Sequence, residues 1–365
     1  MLLGGDKLKQ LLGRKNILLL VLLISVIGFG IRHSLKEPAP VTQIENVRVL
    51  ESVRSPYFLP QYLAFNLGYF KEQDLSVSIT TTSQEAIRAA LSDGRTDIAL
   101  CGLQKILFNP AAKGPQPKLF ATLARQDGSF LLARKDADNF QWKNLKDKSI
   151  IGGSEDDSSE IALEEALRQQ GQTPNRSVTI YHNIPDTLRL GAFRAGTGNY
   201  IQLLEPAASL AESKDYGRVA ASVGITTGDM VVTAYAAQPG YIESKAAVIQ
   251  RFTNAIYKAQ LWLGQHSSEE AAEVVAPLFT NVDRQVLIKS IERYRTLGVW
   301  SSDPLIPRQS YDKFQAAAKE AGEITSPTPY ETVVMNEFAQ QAIQTVIYVK
   351  EEPKPKKNLF QRVFQ

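Results

Sequence analysis

Cysteine is almost missing from this chain of 365 residues, and histidine is nearly as scarce. The single cysteine, Cys101, rules out an internal disulfide and a cysteine-built zinc or iron–sulfur site, so stability must come from packing. Of the three histidines, His33 flanks an apolar run, His182 sits in Tyr181-His182-Asn183-Ile184-Pro185, and His266 ends an expected helix. None stands in a catalytic pattern, and Gly-x-Ser-x-Gly, His-Glu-x-x-His and phosphate-cradling loops are missing as well. Internal repeats and single-residue tracts are lacking too. No enzyme activity, cofactor or metal is expected.

What is present fits a globular protein of two lobes or two domains, with 44% hydrophobic and 22% charged residues. The net charge of +3 is unevenly spread. Residues 1–36 hold six Lys/Arg and one Asp, and 350–365 hold five Lys/Arg and two Glu, which leaves the body between them about five charges negative. Nucleic-acid binding is excluded, because phosphate binding needs positive charge clustered on the folded domain.

Lys7, Lys9, Arg14 and Lys15 precede the apolar run 17–31, and Arg32, His33 and Lys36 follow it. Residues 1–36 read as a membrane signal anchor or a signal peptide, with the anchor preferred because only Gly28-Phe29-Gly30 approaches a cleavage site. No cysteine follows to take a lipid. Residues 37–43 form a linker. The tail 347–365 mixes basic residues with Leu359, Phe360, Val363 and Phe364, which could rest on anionic lipid or stay solvated.

From residue 44 the periodicity alternates. Strand 47–53, helix 59–70, strand 75–79, a helix capped by Ser83 over 84–92, and strand 98–101 give β-α-β-α-β. Strand 130–133 leaves this unit. A second unit follows: strand to 151, helix 159–169, strand 178–181, helix 186–195 and strand 200–204. Strand 230–236 then returns, followed by amphipathic helices at 242–266, 268–276, 283–297, 308–321 and 329–345. The expected fold class is α/β, two doubly wound lobes joined by a two-strand hinge. Residues 44–133 and 232–346 make lobe 1, and 134–231 make lobe 2. Ligands of such sheets bind outside the carboxyl ends of the strands.

The segment from Tyr57-Phe58-Leu59-Pro60-Gln61 through Asn66-Leu67-Gly68-Tyr69-Phe70 resembles substrate-binding proteins for thiamine-pyrimidine precursors, taurine, sulfonates and nitrate. The resemblance continues at Asp93-Gly94-Arg95-Thr96-Asp97-Ile98, Gln126-Asp127-Gly128-Ser129, Leu204-Glu205-Pro206 and Arg251-Phe252-Thr253-Asn254, covering about 47–342. It implies a type II periplasmic-binding-protein fold. It further implies delivery of a small-molecule ligand to the permease and ATPase of an ABC-type importer, at the extracytoplasmic face of a membrane. A monomer is expected. A membrane-tethered sensor is the alternative, and an enzyme making the thiamine pyrimidine is a lesser one.

Candidate ligand contacts follow from strand ends. Tyr57, Phe58 and Gln61 follow the first strand, and an aromatic face there could stack on a flat ligand. Gly102 and Gln104 follow the third, where glycine lets a ligand approach the backbone. Ser154 and Ser158 belong to the turn before the first helix of lobe 2, whose carboxylates Glu155, Asp156, Asp157 and Glu160 favour a neutral or cationic, nitrogen-containing ligand over an anion. Tyr200 and Glu205 bracket the last strand of lobe 2, with Glu205 accepting from ligand or capping a local turn. Tyr235 would line the hinge. Arg125 and Asp127 border the crossover and could form an interlobe ion pair instead of a ligand site.

Overall fold

A computed structural model describes residues 43–107, 115–134, 139–154 and 157–350, and the expected N-terminal anchor and most of the basic tail lie outside them. No helix among the described residues is long and apolar enough to cross a membrane. Glu45–Gln365 form one unit, which is built on two five-stranded sheets.

The chain enters as β1 (Glu45–Glu51), and the apolar residues of the following turn open helix α1 (Leu59–Asn66). Gly68, at φ +80°, ends that helix four residues before the expected boundary, since only glycine takes this backbone without cost. Strand β2 (Leu75–Thr81), helix α2 (Gln84–Ser92), capped by the Ser83 hydroxyl on the Ala86 N–H, and β3 (Ile98–Gly102) complete a parallel trio. Strand β4 (Lys118–Ala121), absent from the sequence expectations, closes the edge.

The second sheet takes β5 (Phe130–Ala133), β6 (Lys148–Ile151), helix α3 (Ser158–Gln169), β7 (Val178–Tyr181), helix α4 (Asp186–Arg194), β8 (Tyr200–Leu203), helix α5 (Ala207–Ser213) and β9 (Arg218–Ser222). Its order is β7-β6-β8-β5-β9, with β5 antiparallel to both neighbours. The expected boundary at 133 therefore moves: residues 130–133 belong to the second sheet and the chain crosses before them. An apolar strand looks the same in sequence whichever sheet it joins. Strand β10 (Thr233–Ala237) returns antiparallel between β3 and β4, giving the first sheet the order β2-β1-β3-β10-β4.

Helices α6 (Ala246–Gln265), α7 (Ser268–Val275), α8 (Arg284–Thr296), α9 (Arg308–Glu320) and α10 (Glu337–Thr345) pack outside the sheets. The expected helix 329–345 is two pieces, because Val334 bridges Leu119 of β4 and the Met335 N–H donates to the Leu119 carbonyl. In the core of the first sheet, Phe120 stacks on Tyr235 and Phe252 meets both edge-on. Helix α8 reaches the second sheet, where Tyr294 stacks on Phe130 at 5.9 Å between ring centres.

Candidate functional site

The carboxyl ends of β1 and β3 meet those of β6 and β8 across a cleft of about 400 Å³, within the ordinary range for small-molecule sites. Both helix α2 and helix α3 begin at its wall. Its lining draws on Tyr57, Phe58, Gly102, Ser154, Ser158 and Glu205 from the sequence expectations. It does not draw on Gln61, Gln104, Tyr200 or Tyr235.

Those four are placed by their own chemistry. Gln61 is fully buried, donating to Glu51 Oε2 at 2.7 Å and accepting from the Tyr235 hydroxyl at 3.0 Å. Glu51 also accepts from Tyr62 and Thr81 and pairs with Arg54 Nε at 2.7 Å. Burial raises the Glu51 carboxyl, against the pull of Thr81, Arg54 and Tyr62. Gln61 and Tyr235 thus act one layer behind the cleft, supporting the carboxylate that holds the lining residue Arg54. Gln104 contributes its N–H to Ser158 Oγ at 3.2 Å, while its side chain turns towards Glu323. Tyr200 opens β8 at the end away from the cleft and packs on Phe140.

Glu205 lines the cleft through its main chain. Its carboxylate is turned inward, with Oε1 receiving Ser209 Oγ and Arg293 at 2.6 Å and Oε2 receiving the Ser209 N–H and Ser290 Oγ. Both oxygens are engaged, so the side chain acts as the local anchor of the turn. Arg125 pairs with Asp229 at 2.5 Å and not with Asp127. Asp127 instead caps its own turn, accepting from the Ser129 N–H and hydroxyl, and burial raises it to about 6.

Among the described residues, three hydrogen bonds cross the cleft between the sheets. Ser55 Oγ donates to the Glu205 carbonyl, Gln84 Nε2 to Asp157 Oδ2 at 3.2 Å, and the Gln104 N–H to Ser158 Oγ. Gln84 keeps a buried Oε1 without a hydrogen-bond partner. The lining also includes Ser52, Ser129, Gln202 and Thr233, which sequence reasoning missed. Gln84 carried a signal as the first residue after a helix cap; Gln202 lies inside a strand and carried none.

The lining's two cationic residues among the described ones are already ion-paired, Arg54 to Glu51 and Arg189 to Asp186. Four carboxylate residues, Glu85, Asp157, Asp186 and Glu205, also line it, and hydroxyls and amides supply the other polar side chains. Catalytic candidates are poor: burial, ahead of Asp157, pushes the Cys101 thiol up to about 12, and His266 stacks flat on Trp262.

The profile of the NMT1/THI5-like family matches residues 55–270. YtlA of Bacillus subtilis (strain 168), a binding protein by name, is 33% identical over 301 residues, 82% of this chain and 90% of YtlA. A ligand-binding component of an ABC-type import system from Staphylococcus aureus superposes with a TM-score of 0.65 at 16% identity, over 82% of this chain and 99% of that one. The alkanesulfonate-binding protein SsuA from Xanthomonas axonopodis pv. citri gives 0.63 at 16% identity, over 81% and 100%.

Proposed function

The chain belongs to the NMT1/THI5-like family, and from that premise we propose that it is the extracytoplasmic solute-binding component of an ABC-type importer. It captures a small, nitrogen-containing organic molecule in the cleft and delivers it to a permease and ATPase, held to the membrane by its N-terminal segment. The role is binding and not catalysis, in line with YtlA's name and with the import component and SsuA that share the fold.

One observation carries the ligand class: the buried Gln84 Oε1 faces Gly102 at the cleft and accepts no hydrogen bond. A buried acceptor left unpaired costs about 1–3 kcal/mol, and a ligand N–H relieves that cost. Arginines that are already paired favour a neutral or cationic molecule over an anion. Contacts are proposed for Tyr57, Phe58, Gly102, Ser154, Ser158 and the Glu205 main chain.

Thermal unfolding of the full-length chain against pyrimidines, amidines, polyamines, taurine, alkyl sulfonates and nitrate tests this. A ligand at 100 times its Kd adds about 2.7 kcal/mol, a rise of a few degrees. A selective rise with a flat nitrogenous compound is expected. A rise with sulfonate or nitrate alone would refute the ligand class, and no rise with any compound would refute the binding role.

A further inference from the structure

We propose that the Gly153 carbonyl, Glu160, Glu164 and His182 bind one divalent transition-metal cation, Zn2+ by donor chemistry, behind the glycine turn that lines the cleft. None of the three side chains lines the cleft itself, so the site stands apart from the solute-binding reading.

The fold gathers these donors from three elements. Glu160 and Glu164 lie one turn apart on α3 and share a face. The parallel pairing of Ile151 with Tyr181 sets His182 beside the Gly152-Gly153 turn. The side-chain donor atoms all lie within 4.8 Å of one another. His182 Nδ1 is 3.1 Å from the Gly153 carbonyl oxygen and 3.9 Å from Glu160 Oε1. Around a tetrahedral ion with bonds of about 2.1 Å, donors stand roughly 3.4 Å apart. Both separations lie within about 0.5 Å of that value, and the 4.8 Å limit on the side-chain donors means a contraction of no more than about 1.4 Å for any pair.

A second observation is independent of the clustering. Glu160 is fully buried, its Oε2 accepts the Gly153 N–H at 2.6 Å, and its Oε1 has no hydrogen-bond partner. A carboxylate oxygen shut away from water without a donor is unfavourable, and a cation satisfies it. Arg168 engages Glu164 through Oε2 only, as far as their hydrogen bond goes. Metal at Nδ1 moves the imidazole proton to Nε2. There the Asn175 amide stands 3.4 Å away, and its oxygen would have to give up the Ile180 N–H that it accepts at 3.4 Å to hold the ring, as outer partners of metal-bound histidines do. One imidazole, two carboxylates and a carbonyl suit Zn2+ or Mn2+, whereas Ca2+ and Mg2+ prefer oxygen alone. A bound ion would tie Gly153 to α3 and β7, fixing one wall of the cleft.

The test is calorimetric titration of the chelator-stripped full-length chain with ZnCl2, beside His182→Ala, Glu164→Gln and, as a control, His266→Ala. Thermal unfolding without metal checks that each variant is folded. Uptake of one Zn2+ per chain is expected, unchanged in His266→Ala and without competition from MgCl2. Affinity should fall at least about 10-fold in His182→Ala and Glu164→Gln, since losing even an outer partner costs that much. No saturable uptake by the wild type would overturn the proposal. So would uptake of equal affinity in either folded ligand variant.

Discussion

At Gly102 the absence of a side chain sets how closely the two sheets approach. A Cβ there would stand 2.5 Å from Ser158 Oγ and 3.0 Å from Gln84 Oε1, on the two side chains whose Oγ and Nε2 make cross-cleft hydrogen bonds. Gly102→Val should weaken solute binding by about tenfold or more and also lower the ligand-free Tm, because the strand that Gly102 ends is buried and the added side chain meets Ser158. Asp127 governs a pH response. Burial raises it from 3.8 to about 6, so the folded chain holds the proton more tightly than the unfolded one. Its stabilising contribution is complete below the unfolded value and is lost as pH rises through about 6. In Asp127→Asn that loss is missing, and chemical denaturation from pH 4 to 8 should show the variant gaining about 2 kcal/mol on the wild type. At this scale, sequence position identified residues by the strand they follow, which found Tyr57, Phe58, Gly102 and Ser158. It could not tell which way a side chain turns. Glu205 is placed at the cleft, yet four donors hold its carboxylate inward.

Among the elements, α8 is the one whose role only packing reveals. From sequence it is an amphipathic helix like its neighbours, but it carries Arg293 and Lys289 to Glu205 and Glu212 of the second sheet's side. Tyr294 on the same helix accepts from the Glu205 N–H and donates to the Gly128 carbonyl. Burial opposes charge on Glu212, but Lys289, the Val219 N–H and Arg293 together outweigh it and bring the carboxyl down to about 2. That stability is present above the unfolded value of 4.5 and is lost as pH falls towards 2. Glu212→Gln should therefore cost about 2 kcal/mol at neutral pH, with the exposed Lys289 reducing the full effect. The gap from wild type should begin to narrow below the unfolded value of 4.5 and close only near pH 2. Long periodic helices and the parallel strands were legible. The edge strands β4 and β9 were not.

Across the whole molecule, the alternation of strand and helix followed by a late return of the chain foretold two α/β lobes, each with three parallel strands. What remained hidden was that each crossing delivers one antiparallel strand, β5 to the second sheet and β10 to the first. The cleft forms where the two sheets' strand ends face each other, and the unpaired Gln84 Oε1 in its hydroxyl-rich wall, where the arginines are already paired and carboxylates are in excess, is the basis for the ligand class. Calorimetric titration of the full-length chain with the compound that most raises its Tm, beside Gly102→Val, tests the central claim most directly. The account predicts one solute per chain and an affinity reduced about tenfold or more in the variant. Equal binding by both proteins would place the solute elsewhere and contradict it.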